Sequence, residues 1–297
     1  MGRGMRRILH LSDPHFGTEY EPAVPALLAL ASDLSPDVVV ISGDITQRAR
    51  RGQFAAARRF VQALQRPVLA VPGNHDLPLF NVLARAINPY GGYRRAMGPT
   101  LEPVIDMPGI LAIGVNSTRP GRHVNGEVGA AQVERVAQRL RRADPDCLRM
   151  VVLHHPVRAL EDSDQKNLLI GREAAVPAWV DAGVDLVLSG HIHLPYVLPL
   201  NGGAETDPSA SSGTEVSSVG TMGNPRNTTA GSRRSWVVQA GTALSRRVRG
   251  GIPNSCYVIE HETQSGRHQC VVQRWDFSDE AGQFVQERQE VLSWVRA

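Results

Sequence analysis

The sequence predicts an α/β protein built on two sheets, and three observations support this. Short β-branched apolar runs alternate with helical-period segments through the first half of the chain, nearly every run ends abruptly in polar residues, and the last third turns to strand-like segments without helices between them. The first strand is read at residues 7–11, where an apolar run stops at His10 and Asp13. Helical periodicity over about 23–34 leads to the run Val38-Val39-Val40-Ile41, and over about 53–64 to Val68-Leu69-Ala70-Val71. Further runs lie at 110–115, 150–153 and 186–188, with helices expected near 130–141 and 172–181. Strand-like segments follow at 196–200, 236–240, 257–260 and 270–275, and a second, more antiparallel sheet is the natural reading of them.

Composition sets the class. The chain has 297 residues, 42% of them hydrophobic and 21% charged, which excludes a collagen, a disordered tail and a membrane channel and suffices for a deep core. Cys147, Cys256 and Cys270 are far apart and in no Cys-x-x-Cys spacing, so neither a disulfide framework nor a thiolate zinc site is indicated. Lys166 is the only lysine among 32 basic residues. Arginine suits phosphate recognition, but the bias also fits a GC-rich genome. A net charge of +3 without basic runs argues against nucleic acid as partner, and the N-terminal apolar stretch is too short for a membrane span or a signal-peptide core. A soluble cytoplasmic protein is expected. Residues 201–235, rich in Ser, Gly and Thr, read as a flexible insertion within a single domain covering 1–297.

Function is written in the ends of the runs. The segments are Asp13-Pro14-His15, Gly43-Asp44, Gly73-Asn74-His75-Asp76, His154-His155-Pro156 and Gly190-His191-Ile192-His193, and they contain six of the ten histidines. In α/β sheets ligands bind beyond the carboxyl ends of strands, so the five tips are expected to converge. Collecting so many ionisable groups is costly unless a metal compensates them. Oxygen and imidazole donors without thiolate point to manganese, iron or zinc, and two ions about 3.5–4 Å apart would need a bridging carboxylate. Glycines 43, 73 and 190 are expected to let the backbone turn sharply before each ligand.

In order and spacing, these motifs resemble the calcineurin-like metallophosphoesterase family, across the chain from Asp13 to His193. The resemblance implies a four-layer α/β/β/α sandwich of two mixed β-sheets flanked by helices. It implies two divalent metal ions, with Asp13, His15 and His193 on the first, Asn74, His154 and His191 on the second, and Asp44 bridging. It places His75 as the catalytic group facing substrate, and it implies attack on phosphorus by a metal-bridging hydroxide. His155 is read as a support for the ligands or a substrate-rim residue, with a purely structural role left open. Asp76 is read as a loop cap.

Phosphoprotein phosphatases of this superfamily resemble Gly-Asp-x-x-Asp-Arg-Gly at the second motif, whereas this chain has Gly43-Asp44-Ile45-Thr46-Gln47-Arg48-Ala49. The layout is instead similar to the bacterial class III cyclic nucleotide phosphodiesterase branch, including residues 116–122 and 240–243. A small soluble phosphodiester is the expected substrate, with a 3′,5′-cyclic nucleotide as one candidate. Arg119, Arg122, Arg246, Arg247 and Arg249 are candidates to clamp or steer an anionic substrate, and His123, in the loop of Arg119, is a candidate to reach substrate at the site mouth, with solvated surface as the competing reading for each. Alternatives are a nuclease or a nucleotide-sugar or lipid-precursor pyrophosphatase of the same superfamily. A non-enzymatic scaffold would predict missing ligands, and all seven positions are filled.

Overall fold

The computed structural model describes residues 4–79, 81–200 and 235–296, so the insertion read at 201–235 lies outside the described residues apart from Ser235. Among the described residues, twelve strands form two six-stranded sheets. In the first, β1 (Arg6–Leu11), β2 (Val38–Ile41) and β3 (Val68–Ala70) run parallel. A long antiparallel meander extends it from β1 through β10 (Ser255–Gln264), β11 (Arg267–Ser278) and β12 (Gln283–Val295).

The second sheet orders β4 (Val104–Met107), β5 (Ile110–Gly114), β6 (Leu148–Val152), β7 (Leu186–Ser189), β9 (Trp236–Gln239) and β8 (Tyr196–Pro199). β5, β6, β7 and β9 are parallel, with β4 and β8 antiparallel at the edges.

The continuous apolar runs follow from burial on both faces. Ile8, Val38, Val40 and Leu69 point between the sheets, against Ala112, Met150, Val152 and Leu188 of the second sheet. The alternate residues Leu9, Leu11, Val39 and Ile41 face outward and are covered by α1 (Ala23–Leu34) and α2 (Arg51–Leu64), through Leu27, Leu30, Phe54 and Phe60. On the other side Leu111, Ile113, Val151 and Val187 are covered by α5 (Ala130–Arg141) and α6 (Arg172–Ala182). These three cores make the helix–sheet–sheet–helix sandwich of two mixed sheets.

The structure divides the strands differently from the sequence reading. β8 and β9 complete the helix-covered parallel sheet, and the strands after them cross back to β1. Four elements lie outside the sequence reading: β4, β12 and the short helices α3 (Val82–Ile87) and α4 (Gly91–Met97). β12 is an edge strand that buries Phe284, Leu292 and Trp294 while Glu287 and Arg288 between them are exposed, so its sequence lacks the apolar run of a central strand. No helix among the described residues is long and apolar enough to cross a membrane.

Candidate metal centre

The five polar tips meet, although they come from two sheets. Asp13 and His15 follow β1, Asp44 follows β2 and Asn74-His75 follows β3, while His154 follows β6 and His191 and His193 follow β7. The cluster therefore spans the mouth of the sandwich at the carboxyl ends of strands from both layers.

The local backbone is strained to bring these groups inward. Asp13, His15, Asp44, His191 and His193 have φ of 50°, 44°, 47°, 78° and 55°, in the left-handed region. Such residues cost about 1–3 kcal/mol each and persist only where surrounding contacts hold them. The sequence reading assigned the sharp turns to the glycines, but of the three only Gly43, at φ 98°, is left-handed. Gly73 and Gly190 instead permit close approach. A Cβ on Gly73 would lie 2.1 Å from the Asp44 nitrogen, and one on Gly190 would lie 1.8 Å from Ser12 Oγ.

Two groups of donors face Asp44 from either side. In the first, His15 Nε2 lies 3.1 Å from His193 Nε2 and 3.7 Å from Asp13 Oδ1, and His193 Nε2 lies 3.2 Å from the same oxygen. In the second, His154 Nε2 lies 3.2 Å from both Asn74 Oδ1 and His191 Nδ1. Asp44 presents Oδ2 to His15 Nε2 at 3.7 Å and Oδ1 to His154 Nε2 at 3.4 Å. One carboxylate oxygen thus serves each group.

The donor chemistry fits a pair of cations. His154 Nδ1 is 2.9 Å from the Ser42 carbonyl and His193 Nδ1 is 2.6 Å from the Arg247 carbonyl. A carbonyl only accepts, so each Nδ1 donates and Nε2 is the atom each ring turns toward the centre. Oxygens of Asp13, Asp44 and Asn74 lie among these nitrogens, and the buried Asp13 Oδ1 has no hydrogen-bond partner. Carboxylate oxygens and imidazole nitrogens buried together are an arrangement a divalent ion satisfies. The same field shows in the titration of the carboxyls. Burial opposes ionisation of Asp13 and Asp44, but the facing imidazoles, His193 for Asp13 and His154 for Asp44, hold both below the usual carboxylate range. Cys147, Cys256 and Cys270 are buried and belong to none of the metal-capable groups among the described residues.

His75 stands at the open side of Asp44. Its backbone N–H donates to Asp44 Oδ1 at 2.8 Å, its Nδ1 lies 2.8 Å from the Gln47 carbonyl, and its Nε2 is 4.0 Å from Asp44 Oδ2. Beyond it, Arg247 reaches both His75 Nε2 at 3.3 Å and Gln47 Oε1 at 3.2 Å. Asp76 is the loop cap expected: its carboxylate accepts from the backbone N–H groups of Ile45, Thr46 and Gly73 and so ties the second and third motifs together.

The outer residues of the sequence reading separate. His155 is fully buried, with Nε2 donating to the Val124 carbonyl and Nδ1 bonded to Ser117 Oγ, so it supports the site from behind and does not form a substrate rim. Arg119 donates to the Asn116 and Thr118 carbonyls and to Gln132, and Arg122 is paired with Glu127, so both serve their own loop. His123 is exposed, and its carbonyl accepts from Asn74 Nδ2 at 3.1 Å, which brings that loop to the site. Arg85, which the sequence did not single out, clamps the loop by donating to the Pro78, Pro120 and Arg122 carbonyls. Arg249 donates to the Ile192 carbonyl while paired with Asp164 and Glu161, and so anchors the turn between His191 and His193.

Comparison with known proteins places this arrangement. The chain is 29% identical over 180 residues to a probable cyclic nucleotide phosphodiesterase of Synechococcus, an alignment covering 59% of this chain and 65% of that protein. It is 29% identical over 210 residues to a cAMP/cGMP dual specificity phosphodiesterase of Mycobacterium tuberculosis, covering 63% and 61%. A probable glycerophosphodiester phosphodiesterase of Arcobacter nitrofigilis is 29% identical over 163 residues, covering 53% and 57%. The chain thus spans less than two thirds of the length of these relatives. In structure, the yellow lupin purple acid phosphatase PPD1 superposes with a TM-score of 0.63 at 13% identity, over 98% of this chain and 54% of that one, a likeness of fold. The model of the calcineurin-like phosphoesterase family matches residues 6–195, and this chain belongs to that family.

Proposed function

We propose that the protein is a dinuclear metal-dependent phosphodiesterase acting on a small phosphodiester. The observation that carries this reading is Asp44, whose two oxygens face two separate donor groups, His15 with Asp13 and His193 on one side, His154 with Asn74 and His191 on the other. Two divalent ions held there would activate water and neutralise the non-bridging phosphoryl oxygens.

This chain's own residues supply the rest. The Gln47 carbonyl orients the His75 ring so that Nε2 faces the open side of the centre. From there His75 can donate a proton to the departing oxygen or a hydrogen bond to the phosphoryl group. Arg247, beside that nitrogen, adds a cation where charge accumulates on the leaving side. The Arg247 carbonyl holds His193, so one residue braces a ligand through its main chain and faces substrate through its side chain.

The names of the relatives support a cyclic nucleotide as substrate, with a glycerophosphodiester as the second reading. Purified protein reconstituted with manganese is expected to hydrolyse bis(p-nitrophenyl) phosphate, and Asn74→Ala to lose that activity. Absence of turnover with manganese, iron and zinc alike would sink the proposal. Parallel assays with 3′,5′-cyclic AMP and glycerophosphoethanolamine decide between the substrates.

A further inference from the structure

We propose that the cavity beside the metal centre, between residues 48–50 and helices α3 and α4, is a subsite for a second phosphate carried by the substrate. The inference rests on the phosphodiesterase reading and narrows its substrate class: phosphodiesters bearing an additional phosphate, preferably a terminal dianionic one, are favoured over those with a single phosphate.

The cavity has a volume of about 450 Å³ and is lined by Arg48, Arg50 and Arg95, with Asn81 and Asn88 between them. A second cavity of about 290 Å³ shares Ala49, Gly92 and Arg95 with it and adds Arg51 and Arg58. Among the described residues no carboxylate lines either space. The guanidinium groups of Arg50, Arg51, Arg58 and Arg95 make no ion pair with any described carboxylate. Several arginines elsewhere are paired: Arg6, Arg7, Arg135, Arg274 and Arg296 each engage an acid. Arg50 and Arg95 at the first hollow, with Arg51 and Arg58 at the adjoining one, lack a carboxylate counter-charge and raise one another's electrostatic energy, which an anion there relieves.

Location gives the hollow its role. Arg48 directly follows Gln47, whose carbonyl holds His75, and Pro78, on the opposite wall, is three residues after His75. The cavity and the leaving side of the centre therefore share the same two loops. One wall is α4, which begins with two glycines: a Cβ on Gly92 would lie 2.5 Å from the Phe54 ring, so α4 seats directly on α2. Guanidinium forks approaching from separate elements suit a tetrahedral oxyanion with several acceptors better than a single carboxylate, and they favour a dianion over the monoanionic diester at the metals.

A matched pair of chromogenic diesters tests this: thymidine 5′-(p-nitrophenyl phosphate) and the same molecule carrying a 3′-phosphate. In the manganese-loaded enzyme the 3′-phosphate is expected to raise kcat/KM by about tenfold or more, a preference that shrinks with added salt. In Arg50→Ala/Arg95→Ala, with its melting temperature as the check on folding, the ratio of the two substrates is expected to fall towards one. A ratio near one in the unmodified enzyme, or an unchanged ratio in the variant, overturns the subsite. Calorimetric binding of thymidine 3′,5′-bisphosphate against thymidine 5′-monophosphate to the manganese-loaded protein reads the subsite without turnover. Failure of bis(p-nitrophenyl) phosphate hydrolysis with a retained bisphosphate preference would therefore count against the phosphodiesterase reading alone, and equal affinities would count against the subsite alone.

Discussion

Arg247 Nη1 lies 3.3 Å from His75 Nε2, although the two residues are 172 positions apart in the chain. The contact joins the loop after β9 to the loop after β3 on the open side of Asp44, and it places the Arg247 guanidinium beside His75 on the proposed leaving side. Arg247→Ala is expected to lower kcat on bis(p-nitrophenyl) phosphate by about 10- to 100-fold, less than the loss for a fully buried donor because the side chain is exposed. Metal content by elemental analysis should stay at the unmodified level, since the carbonyl that holds His193 remains. A variant that loses metal and activity together would assign Arg247 to the metal loop alone.

Asp44→Asn removes the charge between the two donor groups while keeping the shape. Activity is expected to drop by about a thousandfold or more, and bound manganese to fall below two ions per chain. Two buried carboxylates close together repel without cations, so a chelator is expected to lower the melting temperature of the unmodified protein and to lower that of Asp44→Asn much less. Differential scanning calorimetry with and without chelator reads both effects, and equal shifts in the two proteins would contradict the bridging role.

His155 tests support against substrate contact. His155→Phe leaves the part-buried Val124 carbonyl without its donor and the buried Ser117 hydroxyl without its ring partner, which is expected to cost about 1–3 kcal/mol of stability by denaturant titration. Packing admits little adjustment, since a Cβ on neighbouring Gly126 would already lie 2.2 Å from the ring. If stability is unchanged and KM alone rises, the ring touches substrate after all.

A pH dependence is expected far from the metals. His261 and His268 lie in the core beside Trp294, with His261 Nε2 3.0 Å from His268 Nδ1 and the His268 and Trp294 rings stacked at 8°. Burial, with the neighbouring imidazole, pushes His261 down to about 3, and burial, with Arg296, pushes His268 down to about 4, from 6.5. The unfolded chain thus binds more protons below pH 6.5 than the folded one, so this contribution to stability is complete above that pH and drains away as pH falls towards 4. Each group can contribute at most about 1.4 kcal/mol per pH unit across that window. Urea titrations at pH 7 and pH 5 should show a smaller loss for His268→Phe than for the unmodified protein, and parallel losses would contradict the mechanism.

The convergence of candidate donors was legible because metal-friendly side chains are placed locally in sequence. Each donor sits within a few residues of the end of an apolar strand, where residue type and spacing are dictated by the need to turn a carboxylate or imidazole back over the sheet end. The loop-capping role of Asp76 was legible for the same reason. Helices α2 and α5 were equally plain, since each covers a sheet with an amphipathic face.

What distant segments contribute is absent from any short window. Arg119 and Arg247 looked alike in sequence, each an arginine in a loop after a strand. Only the folded chain turns Arg119 onto its own loop carbonyls and Arg247 onto His75. His155 reads as one more metal-adjacent histidine until its two nitrogens are seen to be taken by Val124 and Ser117.

By itself, the sequence determined the α/β class, the five polar tips and the oxygen and nitrogen character of the candidate centre. The tertiary structure alone decided that strands after residue 255 return to β1, that the centre straddles two sheets, and that unpaired arginines collect between α2 and α4. The physical reason is that ligand type and strand periodicity are set by neighbours along the chain. Sheet membership and charge pairing depend on which surfaces bury one another, and only the folded chain settles that.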